Sequence, residues 1–280
     1  MRVLAMLDGT LADPDRPHLT VDDLAVLRGD GIFETILVVD GKPRELGPHL
    51  DRLARSAAML DLPEPDRAAW ERCAAAVIDA WRGESEMALR LIYTRGRETG
   101  DGPPTGFALG TPIAPKVLRN RETGVAALTL DRGYHPDVVA TAPWLLLGAK
   151  SLSYAVNMAA IRYAEAHGAQ EAIFVAADGS VLEGPTSTVV VADGNTLRTT
   201  PPSSGILPGT TQAALFRAAE KAGWSTKVEP LRVADLRAAD GLFMVSSVRK
   251  ITRVHTLDGE PLPEVPALHA ELSSLYESEY

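Results

Sequence analysis

At 280 residues, with 45% hydrophobic and 23% charged positions, the chain has the balance of an ordinary globular protein with room for one large core or two modest ones. Its formal charge of −9, with the arginines scattered among acids, leaves no basic stripe to neutralise phosphates, so no nucleic-acid partner is expected. A single cysteine, Cys73, excludes an internal disulfide and a cysteine metal cluster; no metal is expected, and a buried core thiol is the reading for this residue. No apolar run reaches the roughly 18 residues of a membrane span, and the opening MRVLAMLDG lacks a basic leader with a long apolar stretch, so the expectation is a cytoplasmic protein with no membrane contact.

In chain order, alternation from Val3 to Leu7 predicts a strand, and GIFETILVVDGKPREL predicts two strands joined at Asp40 and Gly41. HLDRLARSAAMLDL places Leu50, Leu53, Ala57 and Leu60 on one helical face, and a second helix is expected from about Asp66 to Trp81. MALRLIYTRG reads as a further strand. From Gly100 to Lys116 the chain is rich in Gly, Pro and Thr, which suits a crossover between domains better than a packed element. Beyond it come a strand near Val125–Leu130, a helix through MAAIRYAEAHG, and paired strands in EAIFVAADGSVLEG and STVVVADGNTLRTT. TTQAALFRAAEKAG predicts an amphipathic helix closed by Gly223, and GLFMVSSV a buried strand. There is no internal repeat.

Lys150, in LGAKSLSYAVN, follows the apolar run APWLLLGA. A lysine delivered from the interior loses solvation and holds a usable neutral amine, whereas a lysine at a helix start that snorkels to water has the same local sequence. Glu183 precedes Gly184 and Pro185, as an exposed turn residue does; beside a protonated ring nitrogen it would form a charge-assisted bond. An amine and a carboxylate together meet the needs of pyridoxal phosphate, which attaches through an amine and keeps its ring protonated beside an anion. Gly209, Thr210 and Thr211 open a helix, where a phosphate and a simple N-cap fit equally. Ser246 and Ser247 end a strand, either as turn formers or as further phosphate donors. Arg52 lies between the core positions Leu50 and Leu53; its partner is a surface acid such as Asp51, Glu45 or Asp61, or a phosphate that matches its guanidinium fork.

Five segments in order, RGDGIFET, HLDRL, AKSLSYAVN, LEGPTSTVVV and SGILPGTTQ, resemble the fold-type IV pyridoxal-phosphate enzymes over nearly the whole chain. That group holds branched-chain aminotransferases, D-amino acid aminotransferases and aminodeoxychorismate lyases. The resemblance implies an α+β two-domain fold, D-amino acid aminotransferase-like, with a small N-terminal α/β domain and a larger C-terminal domain rich in β-structure. The corresponding boundaries are residues 1–110 for the small domain, 111–121 for an interdomain linker and 122–280 for the large, pyridoxal-phosphate-binding domain. It also implies a homodimer whose active sites lie between the two domains of each chain and are completed by the partner. Carried over by position, Lys150 is the Schiff-base lysine and proton shuttle, Glu183 the partner of the pyridine nitrogen, and Arg52, Thr210, Thr211 and Ser247 phosphate ligands. The family often has Asn where Thr188 stands here, so no contact is carried over to Thr188.

Within the group, IFET is more similar to the lyases and D-amino acid enzymes than to the VFEG pattern of branched-chain aminotransferases. The Arg-x-His pair of D-amino acid aminotransferases has no match in TRGRETGDG, which offers Arg95 and Arg97. With Phe33 and Thr35 in a Phe-x-Thr pattern, the chain is most similar to aminodeoxychorismate lyase, which releases 4-aminobenzoate and pyruvate in folate biosynthesis. Class IV transamination of D-amino acids or branched-chain amino acids is the alternative, and a catalytically silent protein that keeps the fold is a third reading. The resemblance implies Lys150 and Thr35 as catalytic groups and a small amino substrate bearing carboxylates. Phe33 and either Arg95 or Arg97 would meet that substrate; solvated loop charges describe the two arginines equally well.

Overall fold

The computed structural model describes residues 1–100 and 102–280, and the chain divides into two compact units. The first comprises Met1–Ala114 together with Ala149–Tyr154; the second comprises Pro115–Gly148 and Ala155–Tyr280. The boundary differs from the expected one in two ways. Residues 111–121 are not a free linker but the end of a strand and most of a helix, and the short segment carrying Lys150 returns to the first unit.

The first unit runs β1 (Val3–Met6), β2 (Leu11–Ala12), α1 (Leu24–Arg28), β3 (Gly31–Val39), β4 (Lys42–Pro43), α2 (Leu46–Met59), α3 (Arg67–Ala80), β5 (Glu86–Thr94) and β6 (Thr105–Thr111). Its strands form one antiparallel sheet in the order β2-β1-β6-β5-β3-β4. The turn between β3 and β4 works because Asp40 and Gly41 both adopt positive φ, 48° and 77°, matching the right-handed twist of the strands. One sheet face, with Ile32, Ile36, Leu89 and Leu91, is buried under α2 and α3, whose Leu50, Leu53, Trp70 and Val77 complete the core. Cys73 belongs to this core: it is fully buried, its thiol reaches the Ala5 carbonyl at 3.4 Å, and burial pushes its pKa up to about 11. The opposite face, carrying Phe33, Thr35, Arg90, Ile92 and Leu109, is only half-buried.

β6 corrects the crossover expected over Gly100–Lys116, of which Asp101 lies outside the described residues. The strand sits inside the sheet, between β1 and β5. Its glycines are packing positions rather than breakers: a Cβ on Gly110 would meet Val77 Cγ1 at 2.7 Å, and one on Gly106 would meet Trp70 Cζ2 at 3.3 Å.

The second unit runs α4 (Pro115–Thr123), β7 (Val125–Asp131), α5 (Val138–Thr141), a short 3-10 turn at Pro143–Leu145, α6 (Ala155–Ala166), β8 (Glu171–Val175), β9 (Thr188–Asp193) and β10 (Thr196–Thr199). It continues with α7 (Thr210–Lys221), β11 (Ser225–Val228), α8 (Val233–Ala238), β12 (Gly241–Ser246), β13 (Lys250–Leu257), β14 (Glu260–Pro261) and α9 (Pro266–Glu277). The main sheet has the order β11-β10-β9-β12-β13-β7-β8, with β14 paired to β13. β9 and β12 are buried along nearly their whole length, as continuous apolar runs dictate for central strands. α7 ends at Lys221 with Ala222 as its C-cap, and the predicted Gly223 follows with φ 89°, the left-handed residue just beyond a helix. The run APWLLLGA is not interior: Trp144 is 74% exposed and Leu145 47%.

The segment around Lys150 lies along the start of β3. Ile32 bridges Ser151, Phe33 N–H donates to the Lys150 carbonyl at 3.0 Å, and Leu152 N–H donates to the Gly31 carbonyl at 2.8 Å. Gly31 permits this approach, since a Cβ there would meet Tyr93 O at 2.6 Å and Leu152 Cδ1 at 2.8 Å. Gly31→Ala is therefore expected to cost about 1–3 kcal/mol through overpacking, measured as a lowered denaturant midpoint in urea unfolding; an unchanged midpoint would contradict the packing.

Candidate functional site

In the first unit, β3 and α2 position the lysine. The Lys150 backbone N–H donates to Ser56 Oγ of α2 at 3.1 Å, which fixes the root of the side chain. Its Nζ lies over the Phe33 ring, 4.5 Å from the centroid, and Tyr154 meets the same ring edge-on at 5.3 Å. Lys150 is half-buried, and an aromatic face under an ammonium attracts it without neutralising it. Thr35 lies two residues further along β3 on the face that carries Phe33.

Beneath β3 sits a polar cluster that sequence reasoning did not single out. Glu34 is fully buried and binds Arg52 through two bonds, Nε to Oε1 at 2.8 Å and Nη2 to Oε2 at 2.6 Å, while His49 Nδ1 lies 2.7 Å from Oε2. Burial alone would raise the Glu34 carboxyl; the charge and hydrogen bonds of Arg52, then His49, overcome it and hold the group well below the usual carboxylate range. Burial holds His49 below its ordinary value against the pull of Glu34. The sequence did contain the signal: Glu34 falls between Phe33 and Thr35 at the wrong strand phase for a solvated acid, and His49 and Arg52 share a helix face at three-residue spacing. Arg52 is thus not a surface charge, and none of Asp51, Glu45 and Asp61 has the place Glu34 holds.

In the second unit, Glu183 is half-buried beside β8, its carbonyl accepting from Phe174 N–H at 2.8 Å and its Oε2 from Leu207 N–H at 3.1 Å. It is an anchored carboxylate rather than an exposed turn residue. Gly209 precedes α7 with no side-chain cap, and a Cβ there would meet Thr188 Oγ1 at 2.5 Å, so Thr188 lies directly against the helix start. Thr210 and Thr211 are both buried in the first turn, where backbone N–H groups have no acceptor within the helix. Ser247 sits in the β12–β13 turn, which is held from behind: Arg121 Nη2 donates to the Val248 carbonyl at 2.6 Å, and Arg249 pairs with the fully buried Glu171 and donates to Thr186 Oγ1 at 3.1 Å. Ser187 Oγ is buried without a hydrogen-bond partner. A helix start without a side-chain cap, hydroxyls and an anchored carboxylate form a donor and acceptor set that fits a ring cation and a phosphate.

Arg95 and Arg97 have partners of their own. Arg95 binds Asp30 through Nε at 2.7 Å and the Leu60 carbonyl through Nη2 at 2.6 Å, closing a loop of the first unit; Arg97 binds Asp22 through Nε at 2.9 Å. Among the described residues, no group of His, Cys, Asp and Glu is arranged to hold a metal ion, and no helix is long and apolar enough to cross a membrane.

Replacing Glu34 by Gln leaves Arg52 buried without its counter-charge and is expected to cost about 3–5 kcal/mol at neutral pH. The sign with pH follows from the depressed folded-state values: stability from Glu34 is complete above its ordinary 4.5 and is lost as pH falls below it, and His49 loses stability in the same direction below 6.5. Urea unfolding from pH 8 to pH 3 should show the wild type weakening below pH 6.5 and more steeply below 4.5, with the gap to Glu34→Gln closing in the second range. A gap independent of pH would contradict the ionised assignment.

The class IV aminotransferase family matches residues 31–257. A bifunctional aminodeoxychorismate lyase / D-amino acid transaminase of Mycobacterium tuberculosis is 48% identical over 273 residues, 94% of each chain. Among solved structures, a hypothetical aminotransferase from Mycobacterium tuberculosis in a PLP-bound form superposes with a TM-score of 0.96 at 46% identity, covering 100% of this chain and 98% of that one. The fold IV transaminase CpuTA1 from Curtobacterium pusillum superposes at 0.94 with 43% identity over 99% of both chains. The fold is therefore that of the fold-type IV enzymes, and the chain belongs to the class IV aminotransferase family of pyridoxal-phosphate enzymes.

Proposed function

We propose that this chain is a 4-amino-4-deoxychorismate lyase that releases 4-aminobenzoate and pyruvate for folate biosynthesis, with D-amino acid transamination as a second activity of the same residues. The observation that carries the reading is Lys150 Nζ placed over Phe33 on the strand whose next same-face side chain is Thr35. The second activity is included because the 48% identical relative is named for both. A homodimer in the cytoplasm belongs to the same reading and rests on the family resemblance.

When bound, pyridoxal phosphate supplies an aldehyde that takes the substrate amine and a ring that stores electrons released at the adjacent carbon. Lys150 Nζ is the proposed attachment point and then the base that holds the proton from that carbon. Its rooting on Ser56 and its aromatic floor keep the amine at one position, which is how orientation lowers a barrier. Glu183 is the proposed anion beside the ring nitrogen. The α7 start with Thr210 and Thr211, the Ser247 turn, and Arg52 are the proposed phosphate ligands. The Thr35 hydroxyl is the proposed donor of a proton to the departing enolpyruvyl group, a step transamination does not need.

Lys150→Ala is expected to lower both 4-aminobenzoate release and D-alanine conversion by about 10²–10⁴-fold or more. Thr35→Val, of similar shape but without the hydroxyl, should lower 4-aminobenzoate release by about 10²-fold while leaving D-alanine conversion within a few-fold. Product chromatography and absorbance of the bound cofactor check both. Wild-type protein that converts D-alanine but never yields 4-aminobenzoate would sink the lyase reading, and protein that takes up no pyridoxal phosphate would sink both.

A further inference from the structure

The second unit holds a small cavity that the proposed reaction does not use. It measures about 90 Å³ and lies between the last turn of α4, the start of β13 and α9, lined by Arg121, Lys250, His269, Ser273, Tyr276 and Glu277 among others. A water takes up roughly 30 Å³ in the liquid, so the space suits one small ion rather than a nucleotide or an aromatic acid.

The walls of the cavity are held in place. Arg121 donates to the Val248 carbonyl through Nε at 3.1 Å and Nη2 at 2.6 Å, which fixes its guanidinium at the edge of the space. His269 Nε2 lies 2.8 Å from the Ile251 carbonyl, and its ring stacks on Phe243 with centroids 6.1 Å apart. Tyr276 is buried and Ser273 half-buried. Lys250 sits at φ 54°, a left-handed conformation that glycine adopts without steric cost, so a strained backbone position carries a charged side chain to this wall.

The charges around the cavity do not balance. Arg121 and Lys250 both line it, and among the described residues that do so the one carboxylate is Glu277, which is exposed at the rim and pairs with Lys250 at 2.9 Å. Like charges sharing a poorly solvated space repel, and an anion between them removes that repulsion. A planar carboxylate is met best by a fork lying in its own plane, whereas cations and hydroxyls reaching in from α4, β13 and α9 suit oxygens that point in several directions.

We propose that this cavity is a binding site for a tetrahedral oxyanion of the size of inorganic phosphate, formed by residues that include none of the proposed cofactor ligands. Arg121 and Lys250 supply the charge, and the hydroxyls of Ser273 and Tyr276 supply further donors. The assignment needs neither the lyase nor the transaminase reading.

The test titrates inorganic phosphate by calorimetry, at constant ionic strength, into the pyridoxal-phosphate-loaded protein freed of excess cofactor, so that the cofactor's own phosphate already fills its site. Wild type, Lys250→Gln, Glu277→Gln and, as a control on the edge strand β11, Lys227→Gln are compared. Wild type should bind a single phosphate per chain; Lys250→Gln should weaken it by about 10-fold or more, Glu277→Gln should tighten it, and Lys227→Gln should leave it unchanged. Acetate and glycerol 3-phosphate should both bind more weakly than phosphate. No phosphate bound by wild type, weakening in Glu277→Gln, or an equal loss in Lys250→Gln and Lys227→Gln would overturn the site. Acetate or glycerol 3-phosphate binding as tightly as phosphate would overturn its assignment to a free tetrahedral anion.

Discussion

The buried carboxylate of Glu34 is the constraint on which the geometry around Lys150 depends. A full charge at 0% exposure inside a sheet is tolerable only if a partner meets it with good geometry, and the two bonds from Arg52 with His49 alongside supply that partner. Because Arg52 and His49 share one face of α2, satisfying Glu34 fixes how that helix is rotated on β3. Ser56 lies one turn beyond Arg52 on the same face, and its hydroxyl receives the Lys150 N–H. The position of the lysine thus follows from how this ion pair seats α2, and the strand that carries Glu34 inward carries Phe33 and Thr35 outward.

The second unit repeats the device with different elements. Glu171, fully buried on β8, grips Arg249, and Arg249 in turn binds the Thr186 hydroxyl of the loop that follows Glu183. With Arg121 holding the Val248 carbonyl, the turn that bears Ser247 is fixed on two sides. Rigid support behind polar groups matters more than the number of such groups, since a donor held in place pays no ordering entropy when its ligand arrives. A Cβ on Gly209 would displace Thr188, so the threonine that stands where the family often has asparagine is packed against the helix start.

Much of this was legible in the sequence because single patterns carried it. The Asp40–Gly41 turn, the periodicity of α2 and α3 and the buried strand GLFMVS each had one physical explanation, and the five ordered motifs carried the family although their single residues had two readings each. Other features depended on distant residues. The glycines of β6 looked like loop punctuation, and only Trp70 and Val77 on α3 show that they make room for a helix. The apolar run before Lys150 suggested an interior approach, yet Trp144 is exposed and the lysine's surroundings come from β3 and α2 instead. Arg95 and Arg97 stood out by nearness to a family pattern, whereas pairing with Asp30 and Asp22 is a property of folded geometry.

The central claim is that Lys150, and no other lysine, is the amine that takes the cofactor. Borohydride reduction of the protein loaded with pyridoxal phosphate, followed by peptide mass mapping, reads this directly. The account predicts a pyridoxyl mark on the peptide containing Lys150, at stoichiometric yield; a mark on a different lysine, or none at all, would contradict it.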